Sequence, residues 1–281
     1  MSKLTVSAIK QLKNKRKIVI LTAYDYPMAS ALEKAGIDII LIGDSLANVV
    51  LGLDSTKGVT MDEMIYHAKA VRRAVKQTFL IADMPFCAYQ DRPDEAVKNA
   101  KRFIDDAGCD AVKIEWFDKA LDVTREIIEA GIDVIGHVGL TPQTADKLGG
   151  MKVQGKDADS AAAIIKQAKQ FEEAGCFSLL LECVPDKVAQ IITKNASVPT
   201  IGIGAGPYCD GQVLVTHDML GLFDRYTPKF VKKYADLTQD MIRAFESYKR
   251  DVLDGNFPLK EHSFSIDPQE LEKIKKVNEG L

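Results

Sequence analysis

The sequence predicts an α/β protein, a (β/α)8 TIM barrel with an N-terminal capping helix and a C-terminal helical extension. Eight short Val/Ile/Leu-rich runs end in polar residues: IVILTAYD (18–25), IILIGDS (39–45), FLIADMP (79–85), AVKIEW (111–116), VIGHVG (134–139), SLLLECV (178–184), TIGIGAG (200–206) and QVLVTHD (212–218). Segments of helical period separate nearly all of them, the pattern of a parallel sheet covered by helices. Eight such units in about 250 residues argue for closure into a barrel. Asp44, Asp83, Glu115, His137 and Glu182 fall at or near strand C-termini, the rim on which this fold builds active sites.

The chain of 281 residues is 46% hydrophobic and 27% charged, enough to bury a full core. No linker-like stretch divides it, so one domain is expected over 1–281: a cap at 1–17, the barrel at 18–253 and a tail at 254–281. The basic segment before residue 18 has a single arginine and runs straight into the first strand. It therefore reads as a short helix, with Leu4, Ile9 and Leu12 on one side, plugging one end of the barrel, and not as a transit peptide.

After the first strand, PMASALEKAGI has helical period and stops at Gly36. The second strand delivers Asp44 and Ser45, and the long connection LANVVLGLDSTKGVT is expected over the rim. Met61, Met64, Ile65, Ala68 and Val71 mark the buried face of the next helix, where His67 reads as structural. Pro85 ends the third strand, and a helix opening at Pro93 and closing at Gly108 leads to AVKIEW. Strand alternation puts Lys113 and Glu115 on one face with Ala111, and Val112 and Ile114 on the other. The same alternation points His137 and Glu182 into the barrel. The stretch 140–157, with its glycines and Lys152, suits a mobile lid. A long helix over about 229–252 and a charged helix opening at Asp267-Pro268 complete the chain.

Composition excludes several classes of function. A formal net charge of −3 offers no nucleic-acid surface, and no apolar run is long enough for a membrane span. Five scattered cysteines without Cys-x-x-Cys spacing argue for free thiols, a cytoplasmic setting and no zinc site. Gly202, Gly204 and Gly206 lack the Gly-x-Gly-x-x-Gly spacing of a dinucleotide loop and are better read as permitting close approach at the barrel mouth.

Asp44, Asp83 and Glu115, on three successive strands, would form one acidic pocket. Buried carboxylates need compensation, which Lys113 supplies only in part. A divalent ion with oxygen ligands, Mg2+, accounts for the remainder. Such an ion can grip a 2-oxo acid and acidify the adjacent C–H, which places Glu182 as general base and gives a Mg-stabilised enolate. The residues alone thus point to carbon–carbon bond chemistry beside a 2-oxo acid.

With these residues in view, the chain resembles the ketopantoate hydroxymethyltransferase family. The motifs that carry the resemblance include LTAYDYPMA (21–29), IGDSL (42–46), DST (54–56), ADMPF (82–86), VKIE (112–115), GHVGLTPQ (136–143), GGMKVQG (149–155), LECVP (181–185), DGQVLVTHDMLGL (210–222) and FPLKEHSF (257–264). The resemblance implies transfer of a hydroxymethyl group from 5,10-methylenetetrahydrofolate to 3-methyl-2-oxobutanoate, giving 2-dehydropantoate for pantothenate and coenzyme A. It implies Mg2+ on Asp44, Asp83 and Glu115, and oxo-acid contacts from Asp44, Ser45, Asp83, Lys113 and His137. Glu182 would be the proton acceptor, and the assembly a homo-oligomer, commonly a decamer. Ala47-Asn48, Lys57-Gly58 and Trp116-Phe117 depart from the family pattern and leave loop geometry and folate contacts open.

Two other readings compete. The phosphoenolpyruvate mutase and isocitrate lyase group shares the AYDYPMA and GDS resemblance, but the lyases' Lys-Lys-Cys-Gly-His lid is absent here. A barrel that only binds ligand is the other, although it would not require the metal carboxylates, Lys113 and Glu182 together.

Overall fold

Alternating side chains on eight short strands generate two separate cores. The structure, a computed structural model, describes residues 3–278. Strands β1 (Ile18–Thr22), β2 (Ile39–Ile42), β3 (Phe79–Asp83), β4 (Ala111–Glu115), β5 (Val134–Gly139), β6 (Ser178–Glu182), β7 (Thr200–Ile203) and β8 (Gly211–Leu214) pair in sequence order. β1 closes on β8, and every pairing is parallel. The expected (β/α)8 barrel is the observed fold.

Inward positions fill the barrel with Ile18, Ile20, Ile39, Leu41, Phe79 and Ile81, among others. Outward positions, such as Ile40, Leu80, Val112, Val134 and Leu179, pack under the helices. Burying each such side chain contributes about 1.5–3 kcal/mol. At the top the inward layer turns polar, with Asp83 level with Lys113 and Glu115 level with His137 in the strand register.

Helix ends are set locally. Asp25 caps the helix Tyr26–Ala35, Gly36 in the left-handed region ends it, and Thr60 and Glu63 form a reciprocal capping box on Met61–Ala74. The N-terminal helix Val6–Gln11 inserts the fully buried Ile9 among the inward residues at the barrel's bottom. Beside it, Lys13 Nζ contacts Asp210 Oδ2 at 2.7 Å and the Thr193 carbonyl at 3.1 Å. This is the expected plug.

Contacts divide the chain into one unit ending at Lys233 and another beginning at Tyr234, whereas the sequence placed the end of the barrel body at 253. The helix expected from about 229 begins later, at Leu237–Leu253. The reason is local: Phe230 packs over Gly204, where a Cβ would stand 2.7 Å from its ring, and that seat holds residues 229–236 out of helical form. Within the second unit, Tyr248 and Phe257 make an edge contact, and Pro268–Asn278 is the terminal helix. Among the described residues, no helix is long and apolar enough to cross a membrane.

Candidate active site

The polar inward layer opens into a cavity of about 570 Å³ at the C-terminal ends of the strands. Asp44, Ser45, Asp83, Lys113, Glu115, His137 and Glu182 all line it, so the predicted residues are gathered in one place. β3 and β4 bring Asp83 and Lys113 side by side, with Lys113 Nζ 3.2 Å from Asp83 Oδ1 and 3.7 Å from Glu115 Oε1. The Asp44 amide donates to Asp83 Oδ2 at 3.0 Å. Ser45 Oγ pairs with the Tyr24 hydroxyl at 2.8 Å.

His137, fully enclosed, reaches both halves of the site. Its Nδ1 lies 3.4 Å from Glu115 Oε1 and its Nε2 3.4 Å from Glu182 Oε2, electrostatic approaches longer than good hydrogen bonds. Burial and the Lys113 ammonium pull the imidazole down, but Glu115 and Glu182 together raise it above its ordinary value. The sequence reading gave His137 only a substrate contact. Its geometry also makes it the bridge between the acidic cluster and Glu182.

The backbone around Glu182 is tightly constrained. Its carbonyl accepts from Leu140 N at 2.9 Å, and a Cβ on Gly139, which has φ +95, would lie 2.3 Å from that oxygen. Only glycine fits at 139. Cys183, the next residue, has a left-handed backbone at φ +48 and accepts from Gln154 N.

Gln143 is the residue that sequence reasoning missed. It is wholly buried in the stretch expected as a lid, and its amide nitrogen donates to Asp44 Oδ2 at 2.8 Å and to the Met84 carbonyl at 2.9 Å. Its backbone N–H donates to Glu115 Oε2 at 3.0 Å, while the Tyr89 hydroxyl donates to its Oε1. Rotating the amide would set oxygen against two acceptors, so these partners fix its orientation. The first half of 140–157 is therefore wall, not lid; Lys152 does not line the cavity and lies back over Gly149. The single signal available was its place in GHVGLTPQ. Gln143→Leu is expected to weaken divalent-ion binding about 10–100-fold, as lost outer-shell partners do. Mn2+ titration followed by electron paramagnetic resonance measures this.

The family departures divide by position. Trp116 packs edge-on against Phe171 and Phe117 against Tyr89, both partly buried against the core under the helices. Asn48 and Lys57 line the cavity, where Lys57 pairs with Asp146 at 2.9 Å.

Whether a cation suits this site can be judged from its charges. Burial and then repulsion from Asp83 and Glu115 push the Asp44 carboxyl up to about 8. Burial opposes charge on Lys113, yet Asp83, Glu115 and Asp44 hold its ammonium above the usual value. Burial also works against charge on Glu115, but His137 and Lys113 bring it below the ordinary carboxylate range. Asp83 Oδ1 accepts no well-aligned hydrogen bond and is held only by the approach of Lys113. Among the described residues, no three His, Cys, Asp or Glu side chains are grouped so as to hold a metal ion by themselves. Mg2+ needs none, since it commonly takes one or two carboxylates and keeps several waters. The excess of buried negative charge fits such an ion.

A pH dependence follows. Burial and the neighbouring carboxylates favour a proton on Asp44, which an incoming cation must displace. Mg2+ binding is expected to release about one proton per ion and to tighten as pH rises toward 8. Calorimetry in two buffers of different ionisation enthalpy measures the release.

Comparison with known proteins places the chain. The sequence model of ketopantoate hydroxymethyltransferase matches residues 3–260. The 3-methyl-2-oxobutanoate hydroxymethyltransferase of Syntrophomonas wolfei is 51% identical over 98% of this chain and 100% of its own. That of Clostridium botulinum is 50% identical over 96% and 98%. Among solved structures, phosphoenolpyruvate phosphomutase from Streptomyces platensis superposes with a TM-score of 0.61 at 15% identity, over 99% of this chain and 98% of that one. Phosphonopyruvate hydrolase gives 0.61 at 13%, over 99% and 96%. Those two likenesses concern the fold alone, while the sequence matches run the length of the barrel and decide between the competing readings: the chain is an enzyme of the ketopantoate hydroxymethyltransferase family.

Proposed function

We propose that this enzyme transfers a hydroxymethyl group from 5,10-methylenetetrahydrofolate to 3-methyl-2-oxobutanoate, giving 2-dehydropantoate, with Mg2+ at the acidic cluster. The observation that carries the reading is the buried cluster of Asp44, Asp83 and Glu115 around Lys113, with Glu182 across the same cavity. Family membership supports the acceptor and product; the donor and the metal rest on the chemistry of the site and on resemblance. Homo-oligomeric assembly belongs to the same reading, on family likeness.

Asp44 and Asp83 would hold the cation directly and Glu115 through water. A divalent cation bound there supplies positive charge that polarises the keto group of the oxo acid and acidifies C3–H. Ser45 and Lys113 offer donors to the acid's oxygens. Glu182, the least buried carboxylate of the site at 15% side-chain exposure, takes the C3 proton. His137, raised above its ordinary value by Glu115 and Glu182, sets its Nε2 3.4 Å from that carboxylate and favours its charged form. The electron pair left on C3 then forms a bond to the donor's methylene carbon. Both carbon–nitrogen bonds that held the methylene carbon break, water supplies the hydroxyl on that carbon, and tetrahydrofolate leaves with its two nitrogens protonated by the C3 proton and the second proton of that water.

Deuterium exchange at C3 of 3-methyl-2-oxobutanoate, with and without Mg2+ and before any folate is added, tests the first half. Metal-dependent exchange, followed by product on addition of the donor, is expected. A protein that binds the oxo acid but never exchanges C3 is a ligand-binding barrel. One that cleaves isocitrate or methylisocitrate instead belongs functionally with the lyases.

A further inference from the structure

The cavity has a second half that the oxo acid does not use. At about 570 Å³ it falls within the range of clefts that enclose drug-sized ligands, whereas a small branched oxo acid occupies only the polar floor. The lining is largely apolar, and of the three carboxylates in it that the proposed chemistry leaves idle, Asp54 pairs with Arg225 and Asp146 with Lys57, which leaves Asp218. Asp218, just beyond β8, is 8% exposed, lines the cavity and has a carboxylate held by no hydrogen bond among the described residues. Burial pushes its carboxyl up to about 6, with Lys233 only partly offsetting the effect. A nearly buried carboxylate with vacant acceptors calls for donors from a ligand.

Aromatic rings line the same cavity. Phe230 sits on Gly204, whose φ of +62 and missing Cβ make room for the ring. Phe223 and Tyr226 also line the cavity. The Gly-x-Gly run at the end of β7 thus seats an aromatic platform rather than a phosphate.

We infer that Asp218 and Phe230 form the subsite for the reduced pterin of the one-carbon donor. The 2-amino-4-oxopyrimidine edge presents N3–H and the 2-amino group side by side, a pair that the two oxygens of one carboxylate can accept together. Phe230 lies against the face of the bicycle, burying apolar area on a rigid surface. This assignment rests on the folate-donor reading above. It gives recognition of the donor to residues separate from those that handle the metal and the C3 proton.

The test compares the unaltered enzyme with Asp218→Asn and Phe230→Ala. Two readouts are used: C3 deuterium exchange with Mg2+ and no folate, and calorimetric binding of tetrahydrofolate. Asn keeps the shape but turns an amide against the pterin's donors, so Asp218→Asn is expected to weaken tetrahydrofolate binding about 10–100-fold, as loss of charged hydrogen bonds does. The KM for the donor should rise in parallel, while C3 exchange stays within about twofold of the unaltered rate. Phe230→Ala should weaken binding in the same direction with exchange intact. If Asp218→Asn binds tetrahydrofolate like the unaltered enzyme, the assignment is wrong. Equal loss of exchange would also overturn it, by moving Asp218 into the oxo-acid half. Should the unaltered enzyme exchange C3 yet neither bind tetrahydrofolate nor use the methylene donor, the donor reading itself fails and takes the subsite with it.

Discussion

Glu182→Gln is expected to lower metal-dependent exchange at C3 by about 10²–10⁴-fold, the usual worth of a positioned general base. Binding of Mg2+ and of the oxo acid should remain near the unaltered level. The substituted amide would keep the side chain's volume and its approach to His137 Nε2 but could not take a proton. Asp83→Ala separates the two roles. It removes a carboxylate that contacts Lys113 at 3.2 Å and accepts the Asp44 amide, so metal affinity should fall first and exchange only in consequence. Calorimetric Mg2+ titration of both variants beside the exchange assay decides the matter. Equal loss of metal in both would mean that the base and the metal carboxylates have been misassigned.

Lys113→Met should be the most damaging change to the apo fold. Lys113 is 5% exposed and is the one lysine set among three buried carboxylates, so its removal leaves like charges facing each other. Breaking a buried pair in this way costs about 3–5 kcal/mol. The sign of the pH dependence is fixed. Burial, Asp83 and Glu115 already raise the Asp44 carboxyl, and loss of the ammonium that opposes them raises it further, so the folded state binds the extra proton. Its stability is then greatest at low pH and is lost as pH rises through the raised Asp44 value. Denaturant melts at pH 5 and pH 8 should show the variant's deficit growing with pH, and millimolar Mg2+ should restore part of it. A deficit independent of both pH and Mg2+ would show that Lys113 acts by packing alone.

Most of the barrel was readable because a strand's period of two sorts residues without knowledge of the fold. Ala111, Lys113 and Glu115 had to share a face, and Val112 and Ile114 had to take the other. Closure followed from counting units. What escaped depended on chain segments meeting across the mouth. Gln143 matters because its loop folds back so that one side chain meets Asp44 and Met84, a meeting of residues far apart in sequence that no local pattern encodes. Asp218 was visible as a polar strand end, but its lack of a side-chain hydrogen bond among the described residues is a three-dimensional fact. The helix start near 229 was misplaced because periodicity cannot register that Phe230 is drawn onto Gly204. Trp116 and Phe117 stood out as departures from the family, yet they point under the helices, where a ring simply fills space.

The plug at the foot of the barrel has a consequence for how such an enzyme can diverge. Ile9 and the Lys13–Asp210 contact shut the end opposite the mouth, using residues that never meet a ligand in the cavity. The loops above can therefore drift, lengthen or be retooled for another acceptor while the foundation is inherited unchanged. Selection on chemistry and selection on folding then act on separate ends of the same strands.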